Sequence, residues 1–305
     1  MKIIANALRG ALIGLAELVP GVSGGTIALV TGIYEHILEE ANRFLDAIKN
    51  LFKDRHAAKL TFKRVDWLLL IPLAVGMLTA VVTMAGVMES FVTDQPIISR
   101  ALFFGMVIIS IAVPLQMTHK DQVRDKIWFY LPLFLLGALA TFFLTGVTSA
   151  PQDNPNYLVV FLAAAVAVCA LVLPGVSGSF FLLAVGLYSA TMGAIHDRNV
   201  AYIGVFALGA ITGIVLFVRL LEKLLNDHRN ITLVIMAGLM LGSLRALWPW
   251  QDGQANLLAP GEQLPAAIGL AIVGAVGVSA LIFADRVFSK KTASQAVNSN
   301  PEHTA

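Results

Sequence analysis

Long uncharged stretches alternate with short polar connections along the whole chain. They cover residues 10–34 (interrupted by Glu17), 67–88, 101–118, 127–152, 154–195, 199–218, 230–244 and 263–284. A helix needs about 20 apolar residues to cross roughly 30 Å of hydrocarbon, and most of these stretches approach or exceed that. Two do not fit a single straight helix. Residues 154–195 are too many for one crossing and are broken in the middle by Pro174-Gly175-Val176-Ser177-Gly178-Ser179. Residues 8–38 are broken likewise by Pro20-Gly21-Val22-Ser23-Gly24-Gly25, and are too few for two crossings. Each reads as a helix–break–helix hairpin that dips in and returns to the same side, although two full crossings remain open for 154–195. Irregular backbone at that depth is tolerated only where protein buries it or a wet cavity lines it.

Composition sharpens the class. Of 305 residues, 57% are hydrophobic and 13% charged, whereas a soluble domain carries about a quarter charged residues. The chain therefore reads as a polytopic membrane protein. A single cysteine, Cys169, lies inside an apolar run, so neither a disulfide framework nor a cysteine metal site is expected. No metal, cofactor or nucleic-acid partner is expected either, and the oligomeric state is not legible.

Positive charge orients the segments. With the N-terminus inside, both broken stretches as same-side hairpins and six crossings, only Arg100, Arg198 and Arg245 of the 21 Lys and Arg fall outside. That is the asymmetry of the positive-inside rule. Both termini and the 39–66 connection are then cytoplasmic. This connection is basic, with Phe44, Leu45, Ile48, Leu51 and Phe52 at helical spacing. An inside loop is its leading reading, and a helix lying on anionic inner-leaflet lipids is the alternative. The tail 289–305 reads as disordered.

The two breaks are copies. At an offset of 154 residues, 8 of the 15 positions 20–34 are identical, including the Pro-Gly-Val-Ser-Gly core, Leu29/Leu183, Gly32/Gly186 and Tyr34/Tyr188. At an offset of 133, Ala74, Gly76, Thr79, Val82, Glu89, Gly105 and Ser110 recur at 207, 209, 212, 215, 222, 238 and 243. The expected fold class is an all-α polytopic membrane protein of two repeats. The first, 1–150, has its hairpin at 8–38, the basic loop 39–66 and spans 67–88, 99–118 and 127–149. The second, 151–288, has its hairpin at 154–195 and spans 200–221, 230–248 and 264–286. Three crossings per half is odd, so the second repeat is inverted relative to the first. Inverted repeats with broken helices are the architecture of secondary transporters, whose site lies at the midplane.

Chemistry concentrates at the breaks. A helix restarting after a break presents unpaired N–H groups and a positive dipole end, which together suit an anion. Glycine permits close backbone approach, and neighbouring hydroxyls add donors. Ser23, Gly24, Gly25, Thr26, Ser177, Gly178 and Ser179 are therefore the candidate contacts for a phosphate-like group. The alternative is that these small residues serve only close helix packing. Glu17, an intramembrane acid, is a candidate for proton coupling or simply a cap for the first hairpin; its repeat partner is Leu171. Glu89, Glu222, Arg219 and Arg245 are secondary charged candidates near span ends, where snorkelling to the interface is the simpler role.

The segment Glu17-Leu18-Val19-Pro20-Gly21-Val22-Ser23-Gly24-Gly25-Thr26, followed by Gly32-Ile33-Tyr34-Glu35, resembles the signature of the polyprenyl-phosphate transporter family, formerly a domain of unknown function. The likeness covers nearly the whole chain, from about Met1 to Phe288, including the second Pro-Gly-Val-Ser-Gly. It implies a flippase in the cytoplasmic membrane of a prokaryote that returns undecaprenyl phosphate, the polyprenyl-phosphate carrier of envelope synthesis, from the outer to the inner leaflet. It implies no catalysis. A fainter resemblance, to membrane undecaprenyl-diphosphate phosphatases with a Pro-Gly-x-Ser-Arg-Ser motif, supplies an enzymatic alternative. Gly24 and Gly178 stand where that arginine would be, and Ile13 where a second acid would be. Without the arginine, charge on a transferring phosphoryl group goes unstabilised. A small-anion or ion-coupled transporter shares the architecture.

Overall fold

The computed structural model describes residues 2–18, 22–51, 53–146, 155–252 and 255–298, and among these residues the regular structure is all helical apart from one isolated bridge, Gln251 to Leu257. The first half contains α1 (Lys2–Glu17), α2 (Gly24–Val30), α3 (Tyr34–Leu51), α4 (Arg55–Arg64), α5 (Trp67–Asp94), α6 (Pro96–Ser110), α7 (Ala112–Met117), α8 (Lys120–Asp125) and α9 (Ile127–Leu144). The second contains α10 (Tyr157–Val172), α11 (Gly178–Ala184), α12 (Tyr188–His196), α13 (Val200–Asp227), α14 (Arg229–Ser243) and α15 (Leu264–Asn298). Among the described residues, five helical stretches are long and apolar enough to cross a membrane: Trp67–Asp94, Pro96–Met117, Ile127–Leu144, Val200–Asp227 and Leu264–Phe283. The protein is thus a multi-pass membrane protein. The expected sixth span, 230–248, falls on the shorter apolar α14.

Corresponding elements match in length: 16 residues in α1 and α10, 7 in α2 and α11, 28 in α5 and α13, 15 in α6 and α14. They also match in partners. α1 packs along α5 as α10 packs along α13, and α6 packs along α15 as α14 packs along α9. Glycine decides how closely. A Cβ on Gly76 would collide with the carbonyl of Ala7, and one on its repeat mate Gly209 with that of Phe161, which lies 154 positions after Ala7. Gly105 faces the carbonyl of Ala271 while Gly238 faces that of Phe134. Small residues that bring backbones together are the usual means of helix association in lipid, where water provides no drive.

Several sequence boundaries move. No breaker occurs between Tyr34 and Leu51, so α3 runs through the expected junction at 38/39. The 39–66 connection is helical over most of its length. It folds as the hairpin α3–α4, and α3 packs on α13. Glu40 is completely buried, accepting the backbone N–H of Asp66 at 2.8 Å and pairing with Arg43. Phe44, Phe62 and Trp67 form an aromatic cluster over this hairpin. α15 continues to Asn298, so 289–298 is helical where disorder was expected; no Gly or Pro lies in this segment to stop it. Residues 299–305 of the tail, Phe52 and the 150/151 repeat boundary lie outside the described residues.

Candidate functional site

The two breaks lie against each other. Ser23 Oγ donates to the carbonyl of Leu173 at 3.1 Å, and the backbone N–H of Gly175 donates to Thr26 Oγ1 at 3.2 Å. Tyr34 adds a third link, its hydroxyl donating to the Val172 carbonyl at 3.1 Å. A side chain at Gly25 would meet that same carbonyl at 2.6 Å. Residues 150 positions apart in sequence are thus joined by backbone and hydroxyl groups, and Ser23, Thr26 and Ser177 are all buried. Pro20 and Gly21, named in the motif, lie outside the described residues.

Both short helices share one backbone plan. Each begins after an extended N-cap, Ser23 at φ −113°, ψ 131° and Ser177 at φ −106°, ψ 129°. Each ends in a Schellman turn that needs glycine at positive φ: Gly32 at 69°, with Ile33 N–H bonded to Ala28 O, and Gly186 at 76°, with Leu187 N–H bonded to Leu182 O. This explains why Gly32/Gly186 belong to the repeat. Gly175, in the second break, also needs its glycine, with φ 82° and Met240 packed against it.

The polar groups differ. Glu17 accepts the N–H of Gly24 at 2.7 Å, so a carboxylate caps the start of α2. At the start of α11 no acid corresponds to it, and Ser177 and Ser179 hydroxyls bond each other at 2.9 Å. Gly178 lies against α10, where a Cβ would meet the Ala167 carbonyl at 2.5 Å.

The secondary candidates lie elsewhere. Arg219 pairs with Asp46 of α3 at 3.2 Å, and Glu222 stands near Glu39, Asp46 and Arg43 of the same helix. Both belong to the α3–α13 contact and not to the breaks. Glu89 falls near the end of α5. Arg245 follows the last turn of α14 and donates to the Phe142 carbonyl at 3.2 Å. Two features were missed from sequence: the Tyr34 bridge and a two-bond ion pair from Arg229 to Glu35 at 2.8 and 3.1 Å, tying α14 to α3. Tyr34's identity with Tyr188 signalled the first; nothing local signalled the second.

A multi-pass helical protein whose two duplicated helix breaks meet in its interior has the general form of a membrane transporter. The sequence profile of a family described as VCA0040-like, undecaprenyl phosphate translocase-like, matches residues 13–264. The chain belongs to this family. It is 33% identical over 266 residues to the polyprenyl-phosphate transporter of Vibrio cholerae, covering 87% of this chain and 84% of that protein. It is 30% identical over 258 residues to the polyprenyl-phosphate transporter of Staphylococcus aureus, covering 80% and 86%. No solved structure matches.

Proposed function

We propose that this protein carries polyprenyl phosphate, in the form of undecaprenyl phosphate, from the outer to the inner leaflet of the cytoplasmic membrane. Its headgroup binds where the two breaks meet. The observation that carries this reading is the direct joining of the breaks through Ser23–Leu173 and Gly175–Thr26. Hydroxyls and helix starts from both halves gather there, in a chain whose relatives are named for this lipid. Ser23, Gly24, Gly25, Thr26, Ser177, Gly178 and Ser179 are the assigned contacts. The matched helix lengths and glycine contacts support two repeats. The odd number of crossings per half and the charge distribution support their inversion, with both termini cytoplasmic.

The mechanism follows from charge. A resting Glu17 carboxylate occupies the N–H of Gly24. An arriving phosphate is repelled by the anion but can accept a hydrogen bond from the protonated acid. Proton uptake on the outer side therefore accompanies phosphate binding, and release inside returns both. The chain moves the lipid unchanged; the missing Arg at Gly24 and Gly178 argues against phosphoryl transfer.

The test is a leaflet assay of surface-exposed undecaprenyl phosphate in cells with and without the protein. Loss of the protein should raise the outer pool. An unchanged pool, or release of inorganic phosphate from undecaprenyl diphosphate by the purified protein, would overturn the reading.

A further inference from the structure

Two buried side-chain polar atoms among the described residues have no hydrogen-bond partner: Thr141 Oγ1 and Arg245 Nε. Thr141 lies on α9, and Arg245 just past the end of its partner α14. Helical threonines commonly return their hydroxyl to the carbonyl four residues back, as Thr145 does to Thr141 at 2.9 Å. Thr141 does not, although it is 1% exposed and packs against Gly242. Buried donors without partners are rare in folded proteins and call for a cause.

Arg245 is built into place. Its carbonyl accepts from Gln251 Nε2 at 2.9 Å, and the same amide also bonds the carbonyls of Ala246 and Trp248. The guanidinium lies over the Phe142 ring, 4.7 Å from its centroid, against Gly146, where a Cβ would overlap it. It carries five N–H donors, and Nη1 bonds Phe142 O. Among the described residues it forms no ion pair with an acid. A cation held rigidly, half-buried, on an aromatic face and with donors to spare is fitted to an anion with several oxygens. Trp248 and Trp250 follow within five residues, their rings edge-on 5.5 Å apart, and tryptophan is the residue type enriched where aromatic belts meet lipid headgroups.

The scaffold is duplicated here but the cation is not. At the 133-residue offset Arg245 corresponds to Ala112, so this end of α14 carries what the matching end of α6 lacks. We propose that Arg245 is the docking point at the outer mouth for a phosphate monoester headgroup before it reaches the breaks. The inference rests on the proposed function for its direction and for the lipid source of the phosphate.

The experiment uses the full chain in detergent with Trp67 and Trp128 changed to Phe, so that Trp248 and Trp250 alone report. It is titrated with geranyl monophosphate and, separately, with inorganic phosphate. Geranyl phosphate should change the fluorescence saturably at concentrations where inorganic phosphate does not. Arg245→Gln, which can still donate to Phe142 O, should weaken the response roughly tenfold or more, the usual loss for a charge-assisted bond. Arg245→Lys, which keeps the charge but not the planar fork, should recover part of it at an unchanged melting temperature. Equal affinity in Arg245→Gln and the parent would overturn the proposal. So would a preference for inorganic phosphate, or equal loss in both variants with a lowered melting temperature, which would make Arg245 a helix cap only. Loss of lipid transport in break variants alongside unaltered Arg245→Gln binding would leave the break site standing and remove the docking point.

Discussion

The first break brings its own acid; the second does not. Their backbones are close copies, from the extended N-caps at Ser23 and Ser177 to the glycine turns at Gly32 and Gly186. Yet Glu17 occupies the N–H of Gly24, while Leu171 stands in its place in the second half. Thr26 receives Gly175 N–H, whereas its counterpart is Phe180. Ser177 and Ser179 bond each other through their hydroxyls. The difference teaches that duplication sets the geometry of the site and single side chains set its chemistry. The first half holds an acid side chain where a phosphate is proposed to bind, and the second half holds two hydroxyls bonded to each other.

The heaviest blow to this comparison falls on the second break. Gly178→Leu drives a side chain into the Ala167 carbonyl, so transport and the monodisperse folded state should be lost together, read by gel filtration beside a flipping assay. Ser177→Ala combined with Ser179→Ala separates the two. Losing hydroxyl donors to a charged headgroup costs about 1.5–3 kcal/mol, so transport should fall tenfold or more while thermal stability stays near that of the parent.

The first break is expected to respond differently. In Glu17→Gln the amide oxygen still accepts from Gly24 N–H, so the cap survives and the charge is gone. Phosphate binding should persist and the dependence of transport on a pH gradient should vanish. If the variant folds, transports at the parental rate and keeps its pH response, Glu17 is a cap and no more.

The smallest effect concerns the bridge. Tyr34→Phe removes the bond to the Val172 carbonyl and should cost about 1 kcal/mol of stability. Tyr188→Phe alters an exposed ring, 38% accessible, and should cost almost nothing. Equal losses from the two, measured by thermal unfolding in detergent, would erase the asymmetry.

Much of this was legible in the sequence because it is periodic or repeated. The long spans announce themselves by uncharged length, and Gly76/Gly209 and Gly32/Gly186 by offset. What stayed hidden depends on contacts distant along the chain. Charge counting marks Glu40 as a loop residue, but it is buried because the Asp66 N–H, 26 positions away, needs an acceptor. Arg219 reads as a snorkelling cation until Asp46, on a helix far back in the chain, supplies its partner. Helix ends also escaped: nothing in the apolar pattern says that α3 passes through 38/39 or that α15 reaches Asn298. The breaks and their convergence could be read from the duplication, but the bonds that join them, Ser23 to Leu173 and Gly175 to Thr26, could not.

The central claim is that the joined breaks carry the headgroup. The most direct measurement is the transbilayer movement of a fluorescent polyprenyl phosphate in proteoliposomes, comparing the parent with Thr26→Val, Ser177→Ala and Ser179→Ala combined. The account predicts rapid movement with the parent and near-background movement with the triple variant, at equal reconstitution and with stability lowered only by the lost Gly175–Thr26 bond, about 1–3 kcal/mol. Parental rates from a well-folded triple variant would contradict it.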